Sequence, residues 1–245
     1  MSAPRNAGRI LLAPAYLLHH APWRDSSRRL ELLTREHGRV TLFARGVRRP
    51  ASGLRAVLQP FQRMLVSWSG RGEAGTLIGA ELDGEPTTLP AARLMSGFYL
   101  NELLLKLFER QDAHPHVFDD YARALERLRG PDSEARTLRI FEKRLLESLG
   151  YGLDLARECE SGTALDPQGH YHVRIERGVT RAVAESAATY CGASLASLAS
   201  EELGDDRSLR DARRLLREAL AACLDGRNLK SREVMLSMRK REVGG

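Results

Sequence analysis

Residues 27–46 read SRRLELLTREHGRVTLFARG, and this stretch decides the fold of the first third of the chain. From Gly38 to Gly46 the side chains alternate with a period of two, which predicts a β-strand with one packed face. The packed face holds Val40, Leu42 and Ala44, and the other face, which we expect to meet solvent or a ligand, holds Arg39, Thr41, Phe43 and Arg45. The mixed run Ser27–Thr34 predicts the strand before it.

Strand-like runs continue on both sides of this stretch. They cover residues 9–20, 61–68 and 74–82, and turns containing glycine separate several of them. Five short strands in roughly eighty residues are typical of a small barrel, and the OB-fold is the nucleic-acid-binding type. Periodicity alone does not separate an OB-fold from an SH3-like barrel.

The charge of the chain is concentrated in these first strands. Residues 1–80 contain thirteen arginines, no lysine and four acidic residues, a balance of +9, whereas the whole chain carries +6. The other 165 residues therefore sum to −3. Such an asymmetry indicates a polyanion-binding module, since the arginine guanidinium can bind a phosphate with two hydrogen bonds and can stack on a base. A GC-rich genome that favours arginine on solvated surfaces would explain the missing lysine but not the missing acids.

One arginine cluster gives this module a candidate binding site. Residues 39–55 hold five arginines around Phe43, with Gly46, Pro50 and Gly53 in a pliable loop. Several phosphates could be neutralised there while an aromatic ring stacks on a base. The alternative is a solvated basic loop beside a core phenylalanine. The nucleic-acid-binding candidates are Arg28, Arg39, Phe43, Arg45, Arg48, Arg49, Arg55 and Arg71, and Arg29 widens the group.

Beyond the polar stretch 83–90 the period changes to about 3.6, which predicts helices. The first has Leu94, Phe98, Leu105 and Phe108 on one side, and others are expected at 115–128, 133–149, from a capping box at Ser208 and Asp211, and at 231–240. Residues 153–200 are irregular, with a short strand near 171–177. The fold class is therefore α+β, with an OB-fold barrel over 1–82, a helical bundle over 88–152, and a C-terminal region over 153–245 that holds a small irregular or β insertion.

The predicted helix at 133–149 carries a second candidate site. Arg136, Arg139 and Lys143 lie at positions i, i+3 and i+7, beside an apolar stripe of Leu138, Phe141 and Leu145. An apolar groove edged by cations suits an acidic peptide that ends in a hydrophobic residue. The alternative is an ordinary amphipathic helix with a charged outer face.

Other classes of function have weaker support. The sequence has no P-loop, GxSxG, HExxH or GxGxxG motif, so we expect a binding protein and not an enzyme. One alternative is a metal-dependent nuclease whose site is assembled from acids such as Glu102 and Glu142. Another alternative is an RNA-binding OB-fold protein. Cys159, His170, His172 and Cys191 have poor spacing for zinc, so we predict reduced thiols, no metal and no cofactor. No apolar run is long enough for a membrane span, which predicts a cytoplasmic protein without a membrane partner.

Several blocks of this sequence resemble the RecO family of bacterial recombination mediators. They include LTREHGRV at 33–40, ARGVRR at 44–49, LRAVLQPF at 54–61, GRGE at 70–73, YLNELL at 99–104, LRIFE at 138–142, LGYG at 149–152 and LKSRE at 229–233. The blocks lie in family order across nearly the whole chain, and residues 153–228 match least. Some family members carry a four-cysteine zinc site, but here only Cys159 lies where such a ligand would start, so the chain is similar to the zinc-free members.

The resemblance implies a role in recombinational DNA repair in association with the nucleoid. It implies binding of single- and double-stranded DNA, annealing of complementary strands, and action with RecR to load RecA onto DNA coated by the single-stranded DNA-binding protein SSB. By this similarity the cluster Arg39, Arg45, Arg48, Arg49 and Arg55 would contact DNA. Arg139, within the block LRIFE, would contact the acidic C-terminal tail of SSB.

Overall fold

The computed structural model describes residues 8–49, 52–70, 74–152, 154–175 and 177–243, and the side chains of 236 and 238–243 are not among those described. Five strands form a closed barrel in the order β1-β2-β3-β5-β4. The strands are β1 Arg9–Trp23, β2 Ser27–Thr34, β3 Gly38–Ala44, β4 Arg63–Ser69 and β5 Ala74–Leu82. All pairs are antiparallel except β3 with β5, which run parallel over three residues. The predicted OB-type barrel is confirmed.

The interior of the barrel is filled by the alternating apolar side chains of its strands. Val40, Leu42 and Ala44 of β3 all lie in this core, as the alternation predicted. The loop predicted at 47–54 leads into a short helix, α1 (Leu54–Val57), which packs against β5.

The helices and the remaining strands follow the barrel. They are α2 Leu94–Leu107, α3 Pro115–Arg129, α4 Glu134–Ser148, β6 His170–Arg174, β7 Gly178–Arg181, β8 Tyr190–Cys191, α5 Gly192–Ala199, α6 Asp206–Leu224 and α7 Lys230–Val243. The strands β7, β6 and β8 form a small sheet in that order. The predicted helices and the short strand near residue 171 are therefore present. Within the described residues no helix is both long and apolar enough to cross a membrane.

The buried side of α2 differs from the apolar stripe on which the helix was predicted, and the start of α6 was predicted wrongly. In α2 the buried side chains include Tyr99, Leu103 and Leu104, whereas Phe98 is 42% exposed. The cap of α6 is Asp205 and not Ser208, because the Asp205 carboxylate accepts hydrogen bonds from the Ser208 N–H (2.9 Å) and hydroxyl (2.6 Å). The helix therefore begins at Asp206, three residues earlier than a cap at Ser208 indicated.

The chain divides into two compact units that do not follow the three predicted segments. The first unit contains residues 1–129 and 229–245, and the second contains residues 130–228. The barrel, α2, α3 and α7 thus belong together, while α4 to α6 and the small sheet belong to the second unit. The predicted boundary at residue 152 falls inside the second unit.

Inside the first unit, one buried polar residue joins the barrel to its helices. Asn101 of α2 donates from Nδ2 to the Leu18 carbonyl of β1 at 2.9 Å, and its Oδ1 accepts from the Tyr121 hydroxyl of α3 at 2.5 Å. Tyr16 of β1 packs its ring on Phe118 and Tyr121, at centroid distances of 5.2 and 5.1 Å. Buried polar groups are stabilising only when their hydrogen bonds are made, so this network fixes α2 and α3 on the barrel.

The C-terminal helix is held by a carboxylate from α2. Glu102 accepts hydrogen bonds from the Lys230 N–H at 2.9 Å, the Ser231 N–H at 2.8 Å and the Ser231 hydroxyl at 2.6 Å. An anion at this place satisfies N–H groups that a helix leaves open at its first turn and complements the helix dipole. Glu102 therefore anchors α7 to the first unit.

Candidate nucleic-acid interface

The outer face of β1, β2 and β3 is the surface where the sequence predicts a ligand. Directly opposed residues of neighbouring strands share a face, and here Arg29 opposes Phe43, Glu31 opposes Thr41, and Leu33 opposes Arg39. The face thus runs from an end near Trp23, Arg29 and Phe43 to an end near Tyr16, Leu33 and Arg39. We call these the open end and the covered end, because their exposure differs.

At the covered end the prediction that Arg39 meets solvent or DNA was wrong. Its side chain is 9% exposed, and Nη1 donates to the carbonyls of Leu105 and Phe108 at 2.6 and 2.5 Å. The Gln111 N–H in turn donates to the Arg39 carbonyl at 2.8 Å. Burial lowers the pKa of the Arg39 guanidinium. Arg39 is therefore part of the packing between the barrel and the C-terminal end of α2, and its guanidinium is not available for the predicted DNA contact.

The segment after α2 can lie against β3 only because residue 38 is a glycine. Gly38 has φ +61°, and a Cβ atom there would come within 2.0 Å of the Asp112 carbonyl oxygen. A side chain would thus be strained by the left-handed backbone and would collide with the neighbouring chain. Gly38 is therefore required both for the turn between β2 and β3 and for the packing of the segment around Asp112 against the barrel.

In the middle of the face the buried Glu31 carboxylate lies close to several arginines. Glu31, with 6% of its side chain exposed, lies 3.0 Å from Arg110 Nη2 and 3.5 Å from Arg39 Nη2. It also accepts a hydrogen bond from the Thr41 hydroxyl at 3.1 Å, while Arg29 Nε lies at 3.9 Å. A buried charge of this kind is tolerated only when it is paired and hydrogen-bonded. The charges in the middle of the face are therefore paired with one another.

The open end carries an aromatic pair. The rings of Trp23 and Phe43 have centroids 4.9 Å apart at an interplanar angle of 43°. Trp23 is 42% exposed and Phe43 is half-buried, so the pair packs partly on the barrel and is partly accessible to solvent. Sequence reasoning identified Phe43 but missed Trp23, because the predicted first strand ended at residue 20 whereas β1 continues to Trp23. A tryptophan directly before the turn Arg24-Asp25-Ser26 was the available signal.

Arginines surround this pair because two loops meet there. The Arg48 N–H donates to the Ser26 carbonyl at 3.0 Å, which ties the loop after β3 to the turn between β1 and β2. Arg48 also directs Nη1 towards the Arg24 carbonyl at 3.5 Å. Gly46, at φ +68°, makes the turn that brings Arg48 and Arg49 back. The exposed cations of these loops and strand ends are Arg24, Arg29, Arg45, Arg48 and Arg49.

The remaining predicted nucleic-acid contacts, Arg28, Arg55 and Arg71, are not among the exposed arginines around the Trp23–Phe43 pair. Arg28 is half-buried, opposite Ala44 at the end of the barrel. Burial and the charge of Arg28 lower the pKa of His20. Arg55 is exposed on α1, the short helix that follows the loop. Arg71 lies outside the described residues.

The predicted peptide groove on α4 differs from its expected form. Phe141 and Leu145 are buried, Leu138 is half-buried, and the apolar stripe is therefore mostly core. Arg139 is 2.5 Å from the Glu142 carboxylate, which lies beside it on the same helix. The expectation of an open apolar groove along Leu138, Phe141 and Leu145 was wrong, since α4 packs against other elements of the second unit, among them α6.

The cations of α4 converge on Glu201, a residue that the sequence did not connect with them. Arg136 donates to the Glu201 carbonyl at 3.1 and 2.8 Å. Lys143 and Arg144 bind its carboxylate at 3.3 and 2.5 Å, and Lys143 also pairs with Glu147 at 2.9 Å. The arrangement shows that this part of α4 holds a main-chain carbonyl and a carboxylate together.

The residues considered for metal or catalysis have other contacts. Cys191 is buried and its thiol donates to the Pro167 carbonyl at 3.2 Å, while Cys159 is exposed. In the part of the chain that the structure describes, no three His, Cys, Asp or Glu residues are grouped as metal ligands. Glu102 holds α7 and Glu142 pairs with Arg139, so the two acids of the nuclease alternative each have a structural partner.

Comparisons with known proteins agree with this architecture. Residues 10–84 match the family model described as Recombination protein O N terminal, and residues 91–233 match Recombination protein O C terminal. The chain is 44% identical over 237 residues to the DNA repair protein RecO of Methylococcus capsulatus, which covers 96% of this chain and 98% of that protein. It is 39% identical over 241 residues to that of Ralstonia nicotianae (97% and 88%), and 45% over 228 residues to that of Alkalilimnicola ehrlichii (91% and 90%).

Proposed function

Because the chain belongs to the RecO family of DNA repair proteins, we propose that it binds single- and double-stranded DNA at the open end and anneals complementary strands there. The observation that carries the proposal is the Trp23–Phe43 pair inside a group of exposed arginines. Arginines neutralise phosphates and release counterions, and exposed rings stack on bases without regard to sequence. Binding energy alone performs this role, and no catalytic residue is needed.

The arrangement favours single strands over paired ones at the ring pair. A base can stack on Trp23 only when it is not already stacked within a duplex, whereas the loop arginines bind phosphates of either form. We therefore expect the arginines to supply most of the affinity for double-stranded DNA and the rings to add affinity for a single strand. Annealing follows if two strands are held through phosphates while their bases remain able to pair.

The salt dependence of binding tests the arginine part of this proposal. In the full chain, Arg48→Gln/Arg49→Gln should lower the slope of log affinity against log salt for single-stranded DNA by about 1.4, since each lost phosphate contact removes about 0.7. Arg63→Gln is the matched control, because Arg63 is an exposed barrel arginine that is already neutralised by Asp83 at 2.6 Å. Fluorescence anisotropy over a range of salt concentrations measures both slopes. Equal slopes for the two variants, or stronger binding of RNA than of DNA, would count against the proposal.

The full chain is required for such tests. The aromatic contacts of Tyr16 and the hydrogen bonds of Arg39 are made with α2, α3 and the segment between them. A fragment that ended near residue 90 would expose both side chains, so a loss of DNA binding by that fragment would not identify the DNA site.

We also propose that the acidic C-terminal tail of SSB binds α4 through Arg136, Arg139 and Lys143. The half-buried Leu138 is the apolar residue beside these cations that a hydrophobic peptide end could still contact. Support comes from Glu201, whose carbonyl and carboxylate already occupy Arg136 and Lys143 in the way that a peptide would. A bound tail must therefore compete with Glu201.

Competition makes this second site testable with a labelled tail peptide. Lys143→Gln should weaken peptide binding, because it removes a cation from the site, and Glu201→Gln should strengthen it, because it removes the internal competitor. Glu185→Gln is the control, since Glu185 is an exposed carboxylate that pairs with Arg207 of α6, and this variant should leave the peptide affinity unchanged. A peptide affinity that is the same for Lys143→Gln as for the parent chain would exclude α4 as the tail site.

From the same family membership we propose that the chain acts with RecR to load RecA onto SSB-coated DNA. The DNA site and the tail site would let the protein bind the strand and its SSB coat in one complex. The corresponding assay follows the DNA-dependent ATPase of RecA on SSB-coated single strands with RecR present. Addition of this protein should shorten the lag, and a lag that does not change would contradict the mediator role.

A further inference from the structure

Glu201 lies just after α5, in a backbone conformation that glutamate rarely adopts. The Glu202 N–H donates to the Ser197 carbonyl at 3.0 Å. The Glu201 N–H donates to the Leu198 carbonyl at 3.2 Å. This pair of hydrogen bonds is the Schellman motif, which ends a helix with a left-handed residue at the position that Glu201 holds. Glu201 has φ +62°, whereas glycine is the usual residue there, because a side chain is strained in this conformation.

The end of α4 shows the same motif in its usual form. The Tyr151 N–H donates to the Leu146 carbonyl at 2.9 Å. The Gly150 N–H donates to the Glu147 carbonyl at 3.0 Å, and Gly150 is the left-handed residue, with φ +83°. A strained residue at a position where glycine fits indicates that its side chain has a function. The contacts of the Glu201 side chain therefore need a functional explanation.

Three cations of α4 bind Glu201 through both its main-chain carbonyl and its carboxylate. Arg136 directs Nε and Nη2 at the carbonyl, at 3.1 and 2.8 Å. Arg144 directs Nε and Nη2 at the two carboxylate oxygens, at 2.9 and 2.5 Å. Lys143 lies 3.3 Å from one of these oxygens. The Arg144 contact is the two-bond arrangement by which a guanidinium group recognises a carboxylate.

These cations keep the Glu201 carboxylate charged although it is largely removed from solvent. Burial raises the pKa of Glu201, but the hydrogen bonds and charges of Arg144 and Lys143 hold that pKa below its usual value. A carboxylate removed from water is stable only when it is paired and hydrogen-bonded. The face of α4 therefore provides the surroundings that an acidic side chain of a bound peptide would also need.

We propose that Arg136 and Arg144 together bind one acidic residue of the SSB tail, through its main-chain carbonyl and its side-chain carboxylate, and that Glu201 occupies this place when the tail is absent. The inference rests on the tail site proposed above and deepens it, because it adds Arg144 and names the group that each arginine binds. The ligand is an acidic side chain within the peptide and not the terminal carboxylate, since Glu201 itself is a residue within a chain. When Glu201 leaves α4 it can also leave its strained conformation, which favours exchange for the tail.

The variant Glu201→Gly in the full chain tests the role of Glu201. Glycine is the favoured residue at this left-handed position, so the variant should fold at least as well as the parent, which circular dichroism and the thermal midpoint check. It should bind the labelled tail peptide about tenfold more tightly, because a charge-assisted internal contact no longer competes. Glu202→Gln is the matched control, since it removes an exposed carboxylate from the neighbouring residue. An affinity of Glu201→Gly that equals that of the parent or of the control would overturn this role.

The role of Arg144 is tested with Glu201→Gly present, so that the internal competitor is absent. Adding Arg144→Gln should weaken peptide binding about tenfold, and Arg144→Lys should weaken it less, because the charge is kept and the two-bond contact is lost. Arg181→Gln is the control, since Arg181 is an exposed cation of the same unit that pairs with Asp166 at 3.4 Å. This control should leave the affinity unchanged.

Modified peptides show whether Arg144 binds a carboxylate or only supports the fold. A tail peptide whose acidic side chains are replaced by their amides should bind equally well with and without Arg144→Gln, while a peptide amidated only at its C-terminus should still lose about tenfold. An effect of Arg144→Gln that persists with the neutral side chains would mean that Arg144 acts through the structure, and would overturn the proposal.

The same titrations separate failure of this inference from failure of the tail site. If Lys143→Gln weakens peptide binding and Arg144→Gln does not, the inference is refuted and the tail site stands. If neither the parent nor Glu201→Gly binds the peptide, the proposed tail site fails together with the inference.

Discussion

The two ends of the outer face of the barrel start from similar sequence and reach opposite states. Each end has an arginine and an aromatic side chain on the same face. Arg29 opposes Phe43 at the open end, and at the covered end Leu33 lies between Arg39 and Tyr16. At the covered end α3 packs on Tyr16, and the segment after α2 accepts the hydrogen bonds of Arg39. At the open end the neighbouring loops add further arginines. An alternating strand therefore specifies which side chains leave the barrel, while distant segments decide whether those side chains reach solvent.

The largest expected effect comes from removing the buried cation of the covered end. Arg39→Met should lower the free energy of unfolding by about 3–5 kcal/mol, because Glu31 then remains buried with one of its close guanidinium partners gone. The double variant Glu31→Leu/Arg39→Met should recover much of this loss, since no buried charge is left. Urea denaturation measures both. A single variant as stable as the parent would mean that Arg39 is not buried in solution, and that the two ends do not differ as described.

The next effect concerns the aromatic residue of the open end. Trp23→Ala should weaken single-stranded DNA binding by about 1–3 kcal/mol, the range found for one base–aromatic stack. Phe98→Ala is the matched control, because Phe98 is an aromatic residue with the same 42% exposure on α2. Anisotropy titrations at one salt concentration compare the two variants. Equal losses would show that exposure of a ring, and not its place at the open end, determines binding.

A smaller effect is expected at the anchor of α7 on the helix that supports the covered end. Burial raises the pKa of Glu102, but hydrogen bonds from Ser231 and Lys230 together with Lys106 hold that pKa below its usual value. A folded pKa below the unfolded one stabilises the protein above the unfolded pKa, near 4.3, and this stabilisation is lost as the pH falls through the folded value. Glu102→Gln should therefore cost about 1 kcal/mol of unfolding free energy at pH 7. The difference from the parent should shrink below about pH 4. A difference in urea stability that does not depend on pH would contradict this role of the Glu102 charge.

Much of the fold follows from local patterns. The alternation around Leu42 predicted β3 and its core side, and the change of period after residue 90 predicted α2 and the later helices. The start of α6 was misplaced because Ser208 and Asp211 fit a capping box, while Asp205, three residues earlier, binds the same Ser208 N–H. Local patterns of this kind recur at neighbouring positions, and packing selects among them.

The sites depended more on contacts that are distant in sequence. Arg39 was assigned to the exposed face because nothing within β3 indicates that the carbonyls of Leu105 and Phe108 will accept its hydrogen bonds. Glu201 was missed because it lies in a loop more than fifty residues after Lys143. The family resemblance predicted a role for these regions, but it did not predict the burial of Arg39 or the contacts of Glu201 with α4. Both are features of packing, which a linear pattern does not record.

The most direct test of the open end uses the two tryptophans of the chain. Trp23 is exposed beside Phe43, whereas Trp68 is buried in the barrel core, so stacking of a base should quench the fluorescence of Trp23 alone. Titration with an unlabelled single strand should quench the parent chain and the Trp68→Phe variant, and should not quench Trp23→Phe. Quenching that survives in Trp23→Phe and disappears in Trp68→Phe would contradict the assignment of the open end as the DNA site.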